Sequence, residues 1–523
     1  MRPGSSIPRY DAVIIGSGFG GSINALRLAQ AGKSVLVLER GQRYQPGAFP
    51  RDVTDVNRLL WRIPDYPRSD GLYDVRFFSG IGAVVASGVG GGSLIYANIH
   101  IRPDEVVFED PRWPRSINRD TLEPYYDKVA AVLGVGPVPP ELQLAKRDAF
   151  RAAAIKTGHA VFDPDEAVSW DKSAGPGRQA CQLCAQCEFG CQYGAKNTLD
   201  FTYLAEAERL GAVVRPSTLV SYVEPVASGY RVHYRDVRSG ESGSVDGTRV
   251  VVSAGTFGTT EILLRSRDEY RTLPNLSPRL GHGYSGNGDF LGSIQNSRIP
   301  LDPWHGPDVT SVIRYFESPP QFTMAAPTFS REAMTVLASL GQSDAGPLRL
   351  LGPLLWRIMP SVLSFLLRKG ILSEPLTLRA PNAGDASRLT FLFAIGRDNA
   401  NGVIRLKRGR LDVDWDYRRE NQALIAKMTA AMREIADVYG GTFATVPTWN
   451  LFQRIFTVHS LGGCHLADSP RDGVVSPEGE VHGYPGLFVA DGSVIPTSIG
   501  FHPVMTIAAV SERIAEAVVA SYS

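Results

Sequence analysis

An excess of charge is missing from this chain: 54 basic and 53 acidic residues leave a formal net charge of +1. Without a basic surplus, nucleic acid is not an expected partner. Long apolar runs are missing too, and nothing approaches the roughly 20 residues of a transmembrane helix. Met1 to Tyr10 carries no signal-peptide pattern, and the first apolar stretch, Ala12 to Ile15, has strand length. Cysteine is scarce, and four of the five form one tight group, a poor disulfide framework for a secreted protein. A cytoplasmic protein is expected. Neither repeats nor low-complexity linkers occur. Hydrophobic residues at 43% and charged ones at 20% exclude disordered and fibrous classes. At about 100–200 residues per domain, the length implies more than one domain.

Glycine, in contrast, is abundant at 53 residues, and it clusters. Tyr10-Asp-Ala-Val-Ile-Ile reads as a buried strand that runs into Gly16-x-Gly18-x-x-Gly21. An amphipathic helix with Ile23, Leu26, Leu28 and Ala29 follows, then a second strand, Ser34 to Glu39. Gly16 suits the tight turn, Gly18 the approach of a pyrophosphate, and Gly21 close packing of helix on strand. The helix N-terminus then offers free N–H groups and a positive dipole end to phosphate. Glu39, at the second strand end, is placed to accept bonds from ribose hydroxyls. An acid there favours FAD or NAD over NADP. Glycine-rich turns alone are common; strand, glycines, helix, strand and acid in order are far more specific.

Three further stretches extend the pattern. Ala86 to Asn98 holds a second glycine loop, which a nicotinamide enzyme does not need. Val250 to Arg265 is a buried strand, a small-residue turn and a helix start. Leu487-Phe-Val-Ala-Asp491-Gly492-Ser493 precedes His502-Pro503-Val504 and a final helix. With Trp113 to Asp127, Gly194 to Ala212 and Val458-His-Ser-Leu-Gly-Gly, these motifs resemble the glucose–methanol–choline (GMC) family of FAD-dependent oxidoreductases. The resemblance covers nearly the whole chain and points to the bacterial cholesterol-oxidase-like branch.

That resemblance implies an α/β fold, α+β overall, with a Rossmann-like FAD-binding domain and a substrate domain on an antiparallel sheet. The FAD domain would be discontinuous, over 1–105, 205–275 and 455–523. The substrate or cap domain would take 106–204 and 276–454, with Phe391 to Ile395, Val403 to Leu406 and Leu411 to Trp415 as strands of its sheet. Gly16, Gly18, Phe19, Gly20, Gly21, Glu39 and Arg40 are implied contacts on the ADP side. Gly91, Gly92, Ser93, Tyr96, Ala97, Asn98 and Ile99 would lie beside the isoalloxazine, and Val220 on the adenine side. Gly255 matches the small residue after the third strand; Asp491 and Gly492 match ribityl and phosphate contacts. His502, Pro503 and Val504 match residues beside the flavin pyrimidine, where N–H groups can stabilise a reduced, anionic flavin. Leu94–Ile95 stands where some members carry a histidine that attaches FAD covalently, so dissociable FAD is expected.

Alcohol oxidation on a flavin removes a hydroxyl proton and passes a hydride to N5, and the base is commonly histidine. Of nine histidines, His459 and His502 fall in the segments that the family places at the reactive face. His459 is the candidate base or hydroxyl orienter and His502 its partner. His465 and His482 match nothing catalytic and are read as structural.

The cysteine group is Cys181-x-x-Cys184-x-x-Cys187-x-x-x-Cys191, the spacing of a bacterial ferredoxin loop without the following proline. An iron–sulfur cluster, zinc, or free or partly oxidised thiols are the readings. A second segment, 346–373, is leucine-rich with four basic residues and no acid, broken by Pro347, Pro353 and Pro360. It suits a lid over a greasy pocket, peripheral contact with a membrane surface, or a core helix pair. The expected activity is oxidation of a lipophilic secondary alcohol, a sterol or long-chain alcohol, to the ketone, with oxygen as acceptor. The alternatives are an FAD/iron–sulfur dehydrogenase passing electrons to a protein or quinone and, more remotely, a redox-neutral lyase or decarboxylase.

Overall fold

A computed structural model describes residues 7–51, 56–61, 70–171, 175–330, 334, 352, 355–356, 358–359, 361 and 387–523. Its first sheet grows from short apolar runs. Val35–Leu38 throughout, and Arg9–Ile15 from Ala12 onward, are buried on both faces, as parallel strands covered by helices must be. Val213–Arg215, Val35–Leu38, Arg9–Ile15, Ser242–Val252 and Leu487–Val489 lie side by side, all parallel. Thr218–Val226 and Gly229–Asp236 extend this seven-stranded sheet as an antiparallel hairpin.

The register matters for everything below. Ile15 pairs with Leu38 and Val252, Leu38 with Arg215, and Val252 with Val489. The parallel strands therefore end level, and the residues that follow them emerge along one edge. Ligands in open α/β sheets bind outside that carboxyl edge. Helix Phe19–Gln30 packs beside the C-terminal helix Val504–Ala520, where Arg27 pairs with the buried Glu512 at 2.7 Å and Tyr203 donates to the same carboxylate.

The second large sheet is antiparallel, in the order Thr442–Thr445, Phe290–Gln295, Thr390–Gly396, Phe322–Ala325, Val312–Tyr315 and Ala160–Phe162. Helix Gln422–Tyr439 packs against it with Leu424 and Met428 beside Gly396.

One expectation needs correction. The three strands expected in a single sheet are present as Thr390–Gly396, Gly402–Lys407 and Arg410–Asp414, but only the first joins the six-stranded sheet. The other two pair with His282–Tyr284 in a separate three-stranded sheet. The turn between them explains the split. Buried Asp398 accepts from Ala400 N at 2.9 Å and Gly288 N at 2.8 Å, and Ala400 takes a left-handed conformation, φ 43°. That pinned turn redirects the chain out of the six-stranded sheet.

Segment 346–373 lies almost wholly outside the described residues, and so does its membrane-contact reading. Trp356 is described and buried, packed against Phe77, Phe452 and Phe456, with its indole N–H donating to Phe78 O at 2.7 Å. At that point the segment belongs to the core.

Candidate active site

The level strand ends bring distant residues of the sequence together. Ile15 delivers Gly16 and Leu38 delivers Glu39; Val252 leads to Ser253 and Gly255, and Val489 to Ala490 and Asp491. Gly16 holds φ 96°, and a Cβ there would meet Ser253 O at 2.3 Å, so both conformation and space demand glycine. At Gly20 and Gly21 an added Cβ would strike the backbone oxygens of Ala490 and Gly16.

Gly18, Gly92 and Gly255 behave differently: a Cβ at each meets nothing within 4 Å. These glycines border open space rather than crowded backbone. The two glycine loops also touch, since a Cβ on Gly91 would lie 2.7 Å from Gly18 Cα, and Gly90 N donates to Ser17 Oγ at 3.1 Å. The open space beside Gly18, Gly92 and Gly255, at a helix N-terminus, forms a trough that fits a dinucleotide pyrophosphate.

Around the trough, Glu39 is buried, accepting from Ser17 N at 3.0 Å, Ser17 Oγ at 2.6 Å and Gly41 N at 2.8 Å. Its carboxylate thus lies against the glycine turn. Arg40 is turned to Asp74, 2.8 Å away, and lies over the Trp61 ring, so its charge is taken up there. Val220 is buried in the strand whose first residue, Thr218, donates to Glu39 O at 2.7 Å. Asp491 receives Gly255 N at 2.9 Å, Thr259 Oγ1 at 2.5 Å and Ser493 N at 2.8 Å, and burial raises its pKa. Gly492 N-terminally opens a short 3₁₀ turn and its carbonyl accepts from Gly462 N at 3.0 Å. Phe19 packs edge-on to Tyr96 at 5.8 Å, and Ser93 Oγ donates to Gly90 O and receives Leu199 N. Ala97, Asn98 and Ile99 continue from that loop, Ile99 pairing with Glu166. The Asn98 amide is fully buried, and neither of its polar atoms has a partner among the described residues.

The two histidines meet. Their rings lie 5.2 Å apart at 80°, His502 just before Pro503 and the helix Val504–Ala520. Strand Phe456–Thr457, paired with Gly82–Ala86, brings in His459. Asp289 fixes it: Oδ1 lies 2.8 Å from His459 Nδ1, while Oδ2 accepts from Thr457 Oγ1 and Val458 N, both at 2.9 Å. A carboxylate only accepts, so Nδ1 carries a hydrogen, and in the neutral ring it is Nε2 that presents its lone pair. Burial first, then the nearby His459, holds the His502 pKa well below 6.5, so its ring stays neutral. Its Nδ1 is buried without a partner among the described residues.

Asp289 escaped the sequence reading, as did Asn287. The Asn287 amide donates to Phe501 O at 2.8 Å and accepts from Ile499 N and Gly500 N at 2.8 and 3.1 Å. One turn, Ser285 to Asp289, thus steadies both histidines. Its only signal in sequence is the turn-forming Gly286-Asn287-Gly288-Asp289 run before a strand, which says nothing of its partners. His465 Nε2 and His482 Nε2 each donate to a backbone carbonyl, Gly283 O and Ala467 O, both at 3.1 Å. The four cysteines form a separate loop, treated below.

Family models described as GMC oxidoreductase match residues 10–269 and 398–511. Cholesterol oxidase from Mycobacterium tuberculosis is 33% identical, covering 97% of this chain and 91% of its own. Cholesterol oxidase from Acinetobacter baumannii is 30% identical, covering 96% and 93%. Long-chain-alcohol oxidase FAO4B of Arabidopsis thaliana is 23% identical over 98% of this chain and 68% of its own length. Among solved structures, pyridoxine 4-oxidase from Mesorbium loti superposes with a TM-score of 0.65 at 18% identity, covering 97% and 98%. At that identity the likeness speaks for the fold.

Proposed function

Because the chain belongs to the GMC oxidoreductase family, FAD-dependent enzymes that act on CH–OH donors, we propose that it oxidises a lipophilic secondary alcohol, a sterol or long-chain alcohol, to the ketone, with oxygen as acceptor. The observation that carries this reading is the Asp289–His459–His502 arrangement: a base with its lone pair fixed, beside a neutral imidazole. The names of the relatives, cholesterol oxidase and long-chain-alcohol oxidase, favour a greasy substrate and oxygen. Phe393, 5.6 Å from the His459 ring, and the half-exposed Val458 add apolar surface beside the base.

FAD, when bound, supplies the hydride acceptor. The trough residues Gly16, Gly18, Gly91 and Asp491 would hold it, without a covalent link, with Glu39 toward the ribose. His459 Nε2 takes the hydroxyl proton, and Asp289 steadies the imidazolium that results. His502, neutral, orients the same hydroxyl through its own ring nitrogen. A base that is pre-aligned in this way contributes about 10²–10⁴-fold to rate.

The division into a discontinuous FAD domain (1–105, 205–275, 455–523) and a substrate domain (106–204, 276–454) belongs to the same proposal. It is supported by the split between the parallel and the six-stranded antiparallel sheet. No described helix is long and apolar enough to cross a membrane.

The test is direct. Protein purified in air should release FAD on heat denaturation and consume oxygen with sterols or long-chain alcohols. Absence of flavin after reconstitution, or flavin that no alcohol reduces, would sink the reading. Reduction by alcohol without oxygen consumption would favour the dehydrogenase alternative.

A further inference from the structure

The four-cysteine loop is held too firmly to be an idle connection. Cys181 N donates to Ser169 O at 2.9 Å, and Ala185 N and Gly306 N exchange bonds with Gly306 O and Leu183 O. The Arg51 guanidinium grips Gln186 Oε1, Phe189 O and Gly190 O. Lys196, 2% exposed, donates to Cys187 O at 2.9 Å, Tyr96 O at 2.8 Å and Leu94 O at 3.2 Å. On either side of Cys184, Leu183 and Ala185 hold left-handed conformations, φ 53° and 55°, which side-chain-bearing residues adopt only when the surroundings enforce them.

Cys181, Cys184, Cys187 and Cys191 all line one small cavity, together with Lys196 and Asn98. Backbone N–H groups already reach three of the sulfurs: Leu183 to Cys181, Gln186 to Cys184, and Ala195 to Cys191 at 3.3 Å. Such donors suit thiolates that carry negative charge in a bound centre. The fully buried Asn98 amide, unpartnered among the described residues, faces the same cavity. A buried amide without a partner, at the wall of a cavity, points to a polar ligand there.

Sulfur donors choose between two kinds of centre. Zinc loops usually separate two CxxC pairs by many residues, whereas this run is continuous. Among the described residues, no three cysteine, histidine or acidic side chains close on one point as a lone ion requires. The four cysteines line one cavity in the spacing of a ferredoxin loop, whose sulfurs hold a polynuclear core rather than a single ion. The ammonium of Lys196 and the guanidinium of Arg51 supply positive charge against a thiolate-bound core.

We propose that this cavity holds an iron–sulfur centre ligated by Cys181, Cys184, Cys187 and Cys191. Lys196 and Asn98 form the wall shared with the Leu94–Asn98 segment. That this segment lies beside the flavin rests on the function proposed above; the occupancy of the cavity does not.

The test is metal and acid-labile sulfide analysis of the full-length protein purified without oxygen, together with alkylation of the native protein. Iron and sulfide should be present in at least equimolar amounts with the chain. The four thiols should resist iodoacetamide until iron is chelated. Cys187→Ser should lose nearly all the iron and its broad visible absorbance. Should that variant fail to fold, the alkylation of unaltered protein still decides. Zinc as the only metal, or four thiols freely alkylated in iron-free native protein, would overturn the proposal. The two proposals fail separately: iron with a flavin that alcohols cannot reduce leaves this site standing and removes the alcohol activity.

Discussion

Asp289 Oδ1 lies 2.8 Å from His459 Nδ1 across 170 residues of sequence. Asp289 is fully buried, and its second oxygen is occupied by Thr457 and Val458, so it has little freedom to turn away. The pair sets which ring nitrogen of His459 is available to a hydroxyl. Asp289→Asn should therefore lower the rate of flavin reduction by alcohol by about 10²–10⁴-fold, because an amide favours the wrong tautomer. FAD content should not change, as Asp289 stands apart from the trough. A stopped-flow rate equal to the parent's would show that the contact is merely structural.

Glu39 holds the first glycine turn through Ser17 and Gly41, and in the proposed function it faces the ribose. Glu39→Ala should weaken FAD binding by about 1–3 kcal/mol, a dissociation constant raised about 5–150-fold. Fluorescence titration of apoprotein measures it. Equal affinity in both proteins would leave Glu39 as a brace for Ser17 and Gly41 only.

His502 predicts an acid-side instability. Its folded pKa is held well below 6.5 by burial and by His459, so on acidification the unfolded chain takes the proton first. Stability then falls as pH drops from about 6.5 toward the folded pKa, by up to about 1.4 kcal/mol per pH unit from this group. Urea denaturation of His502→Asn, with FAD removed from both proteins, should show a shallower loss over that window. Parallel stability curves would mean that His502 is readily protonated in the folded protein.

Trp356 tests where the greasy segment sits. With its ring among Phe77, Phe452 and Phe456, Trp356→Ala should cost about 3–5 kcal/mol of stability, read from the denaturation midpoint. A variant as stable as the parent would show that this side chain is not part of the core.

Much of this was legible in the sequence because strand register does the assembling. Gly16, Glu39, Gly255 and Asp491 are scattered, yet each follows an apolar strand, and parallel strands that end level must gather their successors. The histidines were legible through the resemblance alone. Asp289 and Asn287 were not, since their partners are supplied by loops folded in from far along the chain. The split of the antiparallel strands between two sheets was equally hidden: it turns on Asp398, whose burial and backbone partners raise no local signal. Arg40, implied by the resemblance as an ADP-side contact, has a partner that the sequence did not show: its guanidinium donates to Asp74 at 2.8 Å.

The most direct measurement is anaerobic mixing of the FAD-loaded protein, parent and His459→Ala side by side, with a panel of sterols and long-chain alcohols. The parent should lose its oxidised flavin band with a lipophilic alcohol. His459→Ala should keep its FAD and bleach about 10²–10⁴ times more slowly with the same substrate. Bleaching at the parent rate in the variant would contradict His459 as the base, and no bleaching of the parent with any alcohol would contradict the proposed function itself.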